Sequence, residues 1–461
     1  MTFGRGLSRD GALARTLEPI LRRKHVSTQL DLWAPDEKGS AMKSSRIGGI
    51  AVATALFAIA SAVEAQWPQW GGPGHDFQAP PVELATSWPD AGPPRLWSRT
   101  LGDGNSAISV EGGVAYTLYR NGEEERVIAL NADSGKVLWE VSEPAALWPT
   151  FRGDYGPGPH VTPLVAGDRV FAAGIRARLL ALDRKTGKRL WVRDLWEELG
   201  SKPPERGYSA SPLAYGDLVI VAAGSPGPAL AAFRQDSGSL AWKSPSYAHA
   251  FSSPILVRAA GRDQVVLFLA DRVAGFDPRS GSVLWEHPHE TQYQVNASTP
   301  VPGEGDLLLL SSAYDAGSRL LQLEAQGEKV VARELWFTRR MRVHHGTAVF
   351  RDGVFYGSSG DFGPAFVTAV EAKSGKVVLQ ERGFAKANLV GVGNRLLLLD
   401  EDGVLALLDA KPGSLEVLAQ AQVLKTRAWT VPTLAGTTLY LRDRQEIVAL
   451  DLRPRGTTAK R

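Results

Sequence analysis

The chain has 461 residues, of which 44% are hydrophobic and 22% charged, a balance typical of a globular protein with a large core. Its formal net charge of +3 arises within residues 1–65, because residues 66–461 carry 43 basic and 43 acidic side chains. A neutral body lacks the clustered cationic charge that neutralises phosphates, so we expect no nucleic-acid binding. The absence of cysteine excludes disulfides, thiolate metal sites and C-x-x-C-H haem attachment.

Residues 42–65 form a pattern typical of a secretory signal peptide. A short basic stretch begins at Met42, and fourteen mostly apolar residues follow from Ile47 to Ala60. Small residues occupy the two positions that signal peptidase reads, so we expect cleavage before Gln66 and a periplasmic or secreted protein. A membrane anchor is the alternative, but fourteen residues are fewer than the ~20 that a spanning helix needs.

The remaining N-terminal residues carry less information. Residues 1–41 show no periodic pattern, so we interpret them as a non-structured upstream extension, with Met42 as the better initiator. Because the chain lacks the cysteine that would be lipidated, we expect no stable membrane anchor. We also expect a monomer.

From residue 129 onward the chain repeats one pattern. A short apolar run leads through an acidic or polar residue to a Ser/Thr-Gly turn and a second apolar run, which usually ends in Trp. The four clearest copies are Ala129 to Trp139, Ala181 to Trp191, Ala232 to Trp242 and Gly275 to Trp285. Turn glycines fall at positions 135, 187, 238, 281, 327, 375 and 413, with a mean spacing of about 46 residues. Short strands at this period predict the four-stranded blades of a β-propeller.

The turns and tryptophans of the repeat have a structural interpretation. Glycine takes a positive φ without steric strain, and the preceding Asp or Ser can bond to nearby amides. The Trp four residues later falls on the outermost strand, where it packs between neighbouring blades. We expect each such ring to contribute ~1.5–3 kcal/mol to stability and not to form a ligand cage.

Blade counting predicts how the ring closes. After the seventh repeat, three strands follow at Thr430–Leu434, Leu439–Leu441 and Ile447–Leu452, without a fourth. A fourth strand is found instead near the N-terminus, at Pro94–Ser98. We therefore predict an all-β, eight-bladed propeller of four-stranded antiparallel blades, with this N-terminal strand closing the last blade. Seven blades is the alternative, and a short helix is predicted at Leu195–Leu199.

The predicted domain boundaries follow from this count. Residues 66–93 form an N-terminal extended segment, residues 94–453 the propeller, and residues 454–461 a disordered tail.

Two motifs resemble a known superfamily. The repeat reads A-x-D-x-x-[ST]-G-x-x-x-W, which resembles the tryptophan-docking motif of quinoprotein-like propellers. That superfamily includes dehydrogenases dependent on pyrroloquinoline quinone (PQQ) and outer-membrane assembly factor B. Trp67 to Gly74 resembles the W-P-Q-W-R-G-P segment of secreted PQQ-binding-like β-propeller repeat proteins, with Gly71 in place of the usual Arg. The resemblance implies an eight-bladed fold, while the repeat itself does not imply a bound quinone.

Polar and titratable residues cluster just before the predicted innermost strands, whose starts carry Ser/Thr-x-Pro or Thr-Pro signatures. These positions should surround the channel mouth on the top face, and converging polar groups there are the default site hypothesis. The candidate ligand-binding residues are Asn105, His160, Tyr208, His249, Asn296, Arg342, His344, His345, Lys386, Arg427 and Trp429, with Gln294 also at this level. Solvated channel lining is the alternative interpretation of the same residues.

Imidazoles also bind zinc, copper or iron, so the histidines are candidate metal ligands. Adjacent residues on a strand point to opposite faces, so we expect only one of His344 and His345 to face the channel axis. We predict no metal site, and no catalytic residue can be assigned.

Two functions remain open. The first is an exported, non-catalytic propeller that binds an unknown protein or small molecule at its top face, without a cofactor. The alternative, implied by the resemblance, is a PQQ-dependent dehydrogenase that oxidises an alcohol or sugar with calcium at its site. Catalytic relatives carry a vicinal Cys-Cys pair that this chain lacks, and Asn296, Asn388 and Asp154 are only scattered calcium candidates.

Overall fold

A computed structural model of the protein describes residues 66–361 and 363–454. The interpretations of residues 1–41 and 42–65, and of the tail after Pro454, lie outside the described residues. Within them the structure contains eight sheets, each built around four antiparallel strands. Two strands, β1 (Gln78–Ala79) and β2 (Arg95–Thr100), precede the first blade.

The first four blades follow in chain order. Blade 1 contains β3 (Ser109–Glu111), β4 (Val114–Asn121), β5 (Glu124–Asn131) and β6 (Val137–Pro144). Blade 2 contains β7 (Leu164–Ala166), β8 (Arg169–Ala173), β9 (Arg178–Asp183) and β10 (Arg189–Asp194). Blade 3 contains β11 (Leu213–Tyr215), β12 (Leu218–Ala222), β13 (Leu230–Arg234) and β14 (Leu240–Lys243). Blade 4 contains β15 (Ile255–Ala259), β16 (Arg262–Phe268), β17 (Arg272–Phe276) and β18 (Val283–Pro288).

The second half repeats this arrangement. Blade 5 contains β19 (Val301–Pro302), β20 (Leu307–Ser312), β21 (Gly317–Gln326) and β22 (Lys329–Thr338). Blade 6 contains β23 (Val343–Arg351), β24 (Val354–Ser359), β25 (Phe366–Glu371) and β26 (Val377–Glu381). Blade 7 contains β27 (Ala387–Val392), β28 (Arg395–Asp400), β29 (Val404–Lys411) and β30 (Ser414–Gln422). Blade 8 contains β31 (Thr433–Ala435), β32 (Thr438–Arg442) and β33 (Glu446–Asp451).

The N-terminal strand β2 completes blade 8. It pairs antiparallel with β33, with Trp97 opposite Ala449 and Thr100 opposite Glu446. The prediction of eight blades closed by an N-terminal strand is confirmed, and the seven-blade alternative is wrong. Closure removes the exposed edge that a three-stranded blade would leave.

The hydrophobic core lies between the faces of neighbouring blades. One buried cluster, for example, joins Tyr116 and Leu118 of blade 1 to Val170 and Leu180 of blade 2. Strands β4 and β8 are buried over almost their whole length, as expected for strands with both faces covered by neighbouring blades.

The repeated tryptophans dock each blade onto the next. Trp97 of β2 donates its indole N–H to the carbonyl oxygen of Ala132 at 2.8 Å, and its ring covers Gly135 in the turn of blade 1. A Cβ on Gly135 would lie 2.6 Å from this ring, so the turn requires glycine for the close approach as well as for its φ of +66°. The same ring-over-glycine pairs are Trp139 with Gly187, Trp191 with Gly238, Trp242 with Gly281 and Trp336 with Gly375. The structural interpretation of these tryptophans is confirmed.

The innermost strands are joined between blades by hydroxyl groups. The Ser211 Oγ accepts a hydrogen bond from the amide of Thr162 at 3.0 Å, and the Ser253 Oγ accepts one from the amide of Ser211 at 2.9 Å. The Ser/Thr residues before proline therefore satisfy amides that a neighbouring inner strand does not reach. From the sequence alone, these residues indicate only where the innermost strands begin.

The segment from Trp67 to Ala79 crosses the channel near the far ends of the inner strands. It exchanges two backbone hydrogen bonds with Val110 of β3 and pairs in parallel with Gly391 of β27. Its further contacts are Pro68 O with Val165 N (2.8 Å), Trp70 Nε1 with Thr299 Oγ1 (2.9 Å) and Gln78 Nε2 with Phe350 O (2.6 Å). This segment therefore spans one end of the channel, and its Trp70 lines the cavity that opens at the other end.

In residues 66–361 and 363–454, helical structure is confined to the top-face connections. The predicted helix α1 is confirmed at Leu195–Leu199, with the Asp194 side chain capping its first amides and Gly200 in the left-handed conformation after it. A single 3-10 turn forms at Gly153–Tyr155. Among the described residues, no helix has the length and apolar character needed to traverse a bilayer.

Candidate functional site

A cavity of about 740 Å³ lies at the channel mouth, where the inner strands begin. We call it the mouth cavity. Its walls come from residues just ahead of the inner strands and from top-face loops, and Trp70 of the N-terminal segment lies at its floor. The cavity is open at the mouth, and its volume is within the usual range for small-ligand pockets.

The structure brings five of the sequence-predicted residues together on the cavity wall: Asn105, His160, His344, His345 and Trp429. Asn105 and His160 lie beside each other, with the Asn105 Nδ2 3.4 Å from the His160 Nδ1. The Asn105 amide also donates to the carbonyl oxygen of Tyr155 at 3.0 Å. This bond fixes which end of the amide is the donor.

The other predicted residues are not on the wall of the mouth cavity. Tyr208 is buried and donates to the Ala222 carbonyl oxygen, and Asn296 is fully buried, bonding the carbonyl oxygens of Leu269 and His289. The Tyr208 bond lies within blade 3, whereas Asn296, just ahead of blade 5, bonds to carbonyl oxygens that follow strands of blade 4.

Three of the other predicted site residues are cationic, and their side chains bind partners at the rim of the cavity. Arg342 pairs with Asp315, Arg427 pairs with Asp402 at 3.1 Å, and Lys386 donates to the Asp361 carbonyl oxygen. His249 and Gln294 also lie outside the cavity lining.

The expectation that only one of the adjacent histidines would face the axis is wrong. Both His344 and His345 line the cavity, and their Nδ1 atoms are 3.4 Å apart. The cause is local, because the pairing of β23 with β24 shifts register between Val343 and Ala348. Such an irregularity interrupts the alternation of side chains that a regular strand imposes.

Six rings form an arc around the mouth. In order they are Tyr293, Tyr314, His344, His345, Trp429 and Tyr155, with neighbouring ring centroids 4.9 to 5.5 Å apart. Four of the five neighbouring pairs have the edge-to-face arrangement that aromatic rings prefer, and the fifth, Trp429 with Tyr155, is tilted at 54°. The Tyr314 hydroxyl and the His344 Nε2 are 2.8 Å apart, which fixes this part of the arc.

The loop after blade 1 folds over the mouth and carries Tyr155 across to blade 8. Its charged residues pair with the loop before blade 3: Asp154 lies 3.4 Å from Arg152 and 3.0 Å from Arg206. Glu205 lies 3.7 Å from Arg152. These four residues are the charged members of the cavity lining among the described residues, and they neutralise one another at the rim.

The cavity histidines are held neutral. Burial lowers the pKa of His160 and of His344 to about 4, and nearby Lys386 adds to the effect at His344. Burial, with His344 next to it, lowers the pKa of His345 to about 3. Burial, with Tyr155 close by, raises the pKa of Tyr314 to about 12. At neutral pH the wall therefore presents uncharged donors and acceptors.

Sequence reasoning missed several residues of this site. Tyr155, Tyr293 and Tyr314 lie in loops whose course no repeat pattern specifies. In the sequence, Trp70 is only part of a motif that resembles a family segment. Its position at the cavity floor depends on the path of the whole segment from Trp67 to Ala79. The one available signal was the aromatic content of the top-face loops.

The residues present do not fit a quinone held with calcium. Calcium takes six to eight oxygen ligands, and the cavity carboxylates, Asp154 and Glu205, are engaged by arginines at the rim. In residues 66–361 and 363–454 no group of three or more His, Cys, Asp or Glu side chains is arranged to hold a metal ion. Of the scattered candidates, Asn296 bonds backbone carbonyls and the Asn388 amide donates to the Trp429 carbonyl oxygen.

Comparison with known proteins places these features in a family. The family described as outer membrane protein assembly factor BamB matches the chain over residues 123–378 and 317–454. BamB of Yersinia pestis is 25% identical over 326 residues, which cover 65% of this chain and 76% of that protein. The quinoprotein alcohol dehydrogenase PedH of Pseudomonas putida is 26% identical over 161 residues. That match covers 32% of this chain and only 26% of the dehydrogenase.

Solved structures share the fold. BamB from Moraxella catarrhalis superposes with a TM-score of 0.58 at 18% identity, covering 80% of this chain and all of that one. The quinohemoprotein alcohol dehydrogenase from Comamonas testosteroni gives a TM-score of 0.61 at 13% identity, covering 86% of this chain and 82% of that one. Eight closed blades, ring-over-glycine docking and a family match over most of the propeller lead to one conclusion: the chain belongs to the family of outer membrane protein assembly factor BamB.

Proposed function

We propose that this protein is an exported, non-catalytic binding propeller that receives its ligand in the mouth cavity of the top face. The single observation that carries the proposal is the cavity itself, about 740 Å³, open at the mouth and floored by Trp70. Rigid blades surround it, and loops of mixed aromatic and charged character form its rim. The family match to an assembly factor supports a binding role without chemistry of its own.

The export half of this proposal depends on residues 42–65, whose sequence is typical of a signal peptide.

A PQQ-dependent dehydrogenase is the second candidate. One observation favours it: the cavity has the size of a cofactor site, and Trp70 provides a ring at its floor. The quinone itself carries carboxylates and would bind together with a calcium ion. The cavity lining has few carboxylates to hold that ion, which counts against this function.

Site-specific crosslinking tests the location of binding. A photoreactive residue at Tyr155 reports on the mouth, and the same residue at Leu240, which is 47% exposed on an outer strand, is the matched control. We expect ligand from an extract of the exported compartment to label the mouth position and not the control. Equal labelling at both positions, or labelling only at Leu240, would contradict the proposal.

Reconstitution tests the non-catalytic part. The purified protein is incubated with PQQ and calcium, passed through gel filtration and assayed for dye-linked oxidation of alcohols and sugars. We expect no retained quinone absorbance and no turnover. Retention together with turnover would replace the binding proposal with the dehydrogenase.

A further inference from the structure

We infer that Glu125, buried beneath the rim of the mouth cavity, is a proton-controlled switch for the loop that folds over the mouth. When Glu125 holds its proton, two arginines are free to hold this loop. When the proton leaves, the carboxylate competes with the loop for them. The loop comprises residues 145–159, between β6 and β7, and we call it the mouth loop. The inference adds a regulation to the site of the proposed function, and it rests on that function only for its effect on ligand binding.

Glu125 lies buried at the junction of blades 1 and 2 with only part of its carboxyl group bonded. The residue is 4% exposed. Its Oε2 accepts a hydrogen bond at 2.8 Å from the amide of Ile175, in the turn between β8 and β9, whereas its Oε1 is buried without a hydrogen-bond partner among the described residues. Gly174 makes room for the carboxyl group, because a side chain at that position would collide with the Oε2. A carboxyl group in such surroundings is costly to ionise.

A second acidic side chain lies beside Glu125. Glu143 of β6 is directly opposite Glu125 of β5 in the antiparallel ladder, so both side chains lie on the same face of blade 1. Glu143 forms ion pairs with two residues of blade 2, Arg189 and, at 3.4 Å, Arg178. Like charges directly opposite each other destabilise a strand pair. This arrangement therefore favours a neutral Glu125 beside a charged Glu143.

The proton of Glu125 is exchanged close to neutral pH. Burial raises the pKa of Glu125 from its ordinary value of 4.5 to about 7. The hydrogen bond from the Ile175 amide and the positive charges of Arg120 and Arg176 act in the opposite direction but do not cancel the effect of burial. A modest change of pH around this value thus changes the charge of the group.

The space between the two carboxyl groups does not suit a metal ion. Glu125 and Glu143 line a cavity of about 10 Å³, which holds at most one water molecule. Calcium takes six to eight oxygen ligands, and the arginines paired with Glu143 would repel it. The cation that fits this position is therefore a proton.

Two arginines connect Glu125 to the mouth loop. Arg120 of β4 is directly opposite Glu125 in the ladder, and its guanidinium donates to the Pro157 carbonyl oxygen at 3.4 Å. Arg176 lines the small cavity with Glu125 and donates to the Ala146 carbonyl oxygen at 2.7 Å. The two arginines therefore hold both ends of the mouth loop through neutral acceptors. A carboxylate binds a guanidinium more strongly than a carbonyl does, so an ionised Glu125 would draw either arginine away from the loop.

Release of the mouth loop would remove part of the cavity wall. Three residues of the loop line the cavity: Arg152, Asp154 and Tyr155. The turn that donates to Glu125 also reaches the other rim loop, because the Ile175 carbonyl oxygen accepts a hydrogen bond from the Tyr208 amide at 3.0 Å. A switch needs two arrangements that the proton favours unequally, and the two alternative partners of each arginine provide them.

Hydrogen exchange followed by mass spectrometry tests the switch on the purified protein without any ligand. Peptides from residues 145–159 are followed from pH 5 to pH 8, with rates corrected for the intrinsic pH dependence of exchange. The form with the loop held keeps the proton up to about pH 7, so the released form gains as pH rises from 4.5 towards 7 and the gain levels off above 7. Relative to Glu125→Gln, we expect the protection of the wild-type loop to fall by about tenfold for each pH unit between 5 and 7.

The variants separate Glu125 from its surroundings. Glu125→Gln keeps the shape of the neutral acid, so its loop should stay held throughout this range. Glu123→Gln, which removes an exposed carboxylate from the same hairpin, is the matched control and should behave like wild type. His345 has a lowered pKa near the same loop, but it is present in every protein compared, so its contribution cancels. Identical profiles for the wild-type and Glu125→Gln proteins would overturn the inference.

Arg176→Ala tests the connection to the loop independently of the proton. Because one of the two bonds to the loop is lost, we expect low protection at pH 5 as well as at pH 7. A loop that keeps its full protection in this variant would overturn the role of the arginine. A change of protection on addition of calcium at constant pH would overturn the assignment of the site to a proton.

The effect on binding is tested with a photoreactive residue at Tyr293, which lines the cavity outside the mouth loop. We expect ligand labelling to be weaker at pH 7 than at pH 5 in the wild-type background and equal in the Glu125→Gln background. Equal decreases in both would overturn the link to binding. Failure of the switch is separable from failure of the proposed function, since the exchange measurement contains no ligand. Protection that is independent of pH contradicts only the switch, whereas crosslinking that does not favour the mouth contradicts the binding role.

Discussion

The outer rim of the propeller and its central channel are built by opposite rules. At the rim the same pair recurs from blade to blade, a tryptophan over a turn glycine, as in Trp97 with Gly135 and Trp191 with Gly238. At the channel mouth no two blades contribute the same set: blade 2 supplies His160, blade 6 supplies two histidines and blade 8 supplies Trp429.

This difference separates structure from function within one repeat protein. A pair that recurs at five of the eight blade junctions meets a need that these blades share, namely docking onto a neighbour. A position that differs between blades cannot serve that shared need. The individuality of the protein is therefore concentrated at the mouth.

The largest effect is expected for Trp97→Ala, which removes a docking ring at the seam that closes the propeller. Trp97 touches Gly135, donates to the Ala132 carbonyl oxygen and packs 6.0 Å from Tyr440. We expect a loss of about 4 kcal/mol in the free energy of unfolding, measured by denaturant titration. Leu96→Ala, at an exposed neighbour, should lose less than about 0.5 kcal/mol. Comparable losses would show that the rim does not depend on docking.

Glycine substitutions at the rim sharpen the comparison. Gly187 and Gly327 both have positive φ, +70° and +61°, but only Gly187 lies beneath a ring, that of Trp139. We expect Gly187→Ala to lose about 2–3 kcal/mol and Gly327→Ala about 1 kcal/mol, because only the first must also displace a tryptophan. Thermal melting of both proteins checks the ranking, and equal shifts would contradict it.

In the channel, Trp70→Ala should matter less for stability. Trp70 donates one hydrogen bond to Thr299 and makes one edge contact with Phe77, and it is only partly buried, since it also lines the cavity. We expect a loss of about 2 kcal/mol, smaller than for Trp97→Ala, in the same denaturant assay. A loss as large as that of Trp97→Ala would mean that the floor, and not the rim, holds the ring together.

The last prediction concerns the dependence of stability on pH. The pKa of His345 falls to about 3 in the folded protein, so below the ordinary value of 6.5 the unfolded chain binds a proton that the folded one does not. Stability contributed by the neutral ring is therefore present above pH 6.5 and is lost as pH falls towards 3. We expect His345→Phe to reduce the slope of unfolding free energy between pH 4 and 6 by about 1.4 kcal/mol per pH unit.

Wild-type protein is the reference for this measurement. Burial raises the pKa of Glu125 to about 7, which favours the folded state at lower pH and opposes the histidine effect. Because Glu125 is unchanged in both proteins, its contribution cancels when the two slopes are subtracted. Parallel slopes would contradict the prediction.

Much of the fold could be predicted from the sequence because the rim chemistry repeats. The turn glycines and docking tryptophans are spaced by a whole blade, so their count predicts the number of blades. The N-terminal strand around Trp97, which has no preceding strands of its own, predicts how the last blade is completed. The short helix Leu195–Leu199 was also readable, with Asp194 before it and Gly200 after it.

The candidate site could be predicted only in part. Position ahead of an inner strand identified Asn105, His160 and Trp429, because that position fixes the height of a residue in the channel. It did not tell which way a side chain turns: Asn296 satisfies backbone carbonyls instead of facing the cavity. Tyr155 and Trp70 reach the site through the paths of a loop and a segment, which depend on contacts distant in sequence.

The strand exchange at β2 has a consequence for how the polypeptide acquires its shape. Residues near 97 must remain without their partner until those near 449 have been synthesised, about three hundred and fifty positions later. Long-range pairing of this kind is the slow step of β-rich folding. Until β2 pairs with β33, the two ends of the ring remain uncovered. We therefore expect the chain to be most prone to self-association just before its synthesis is complete.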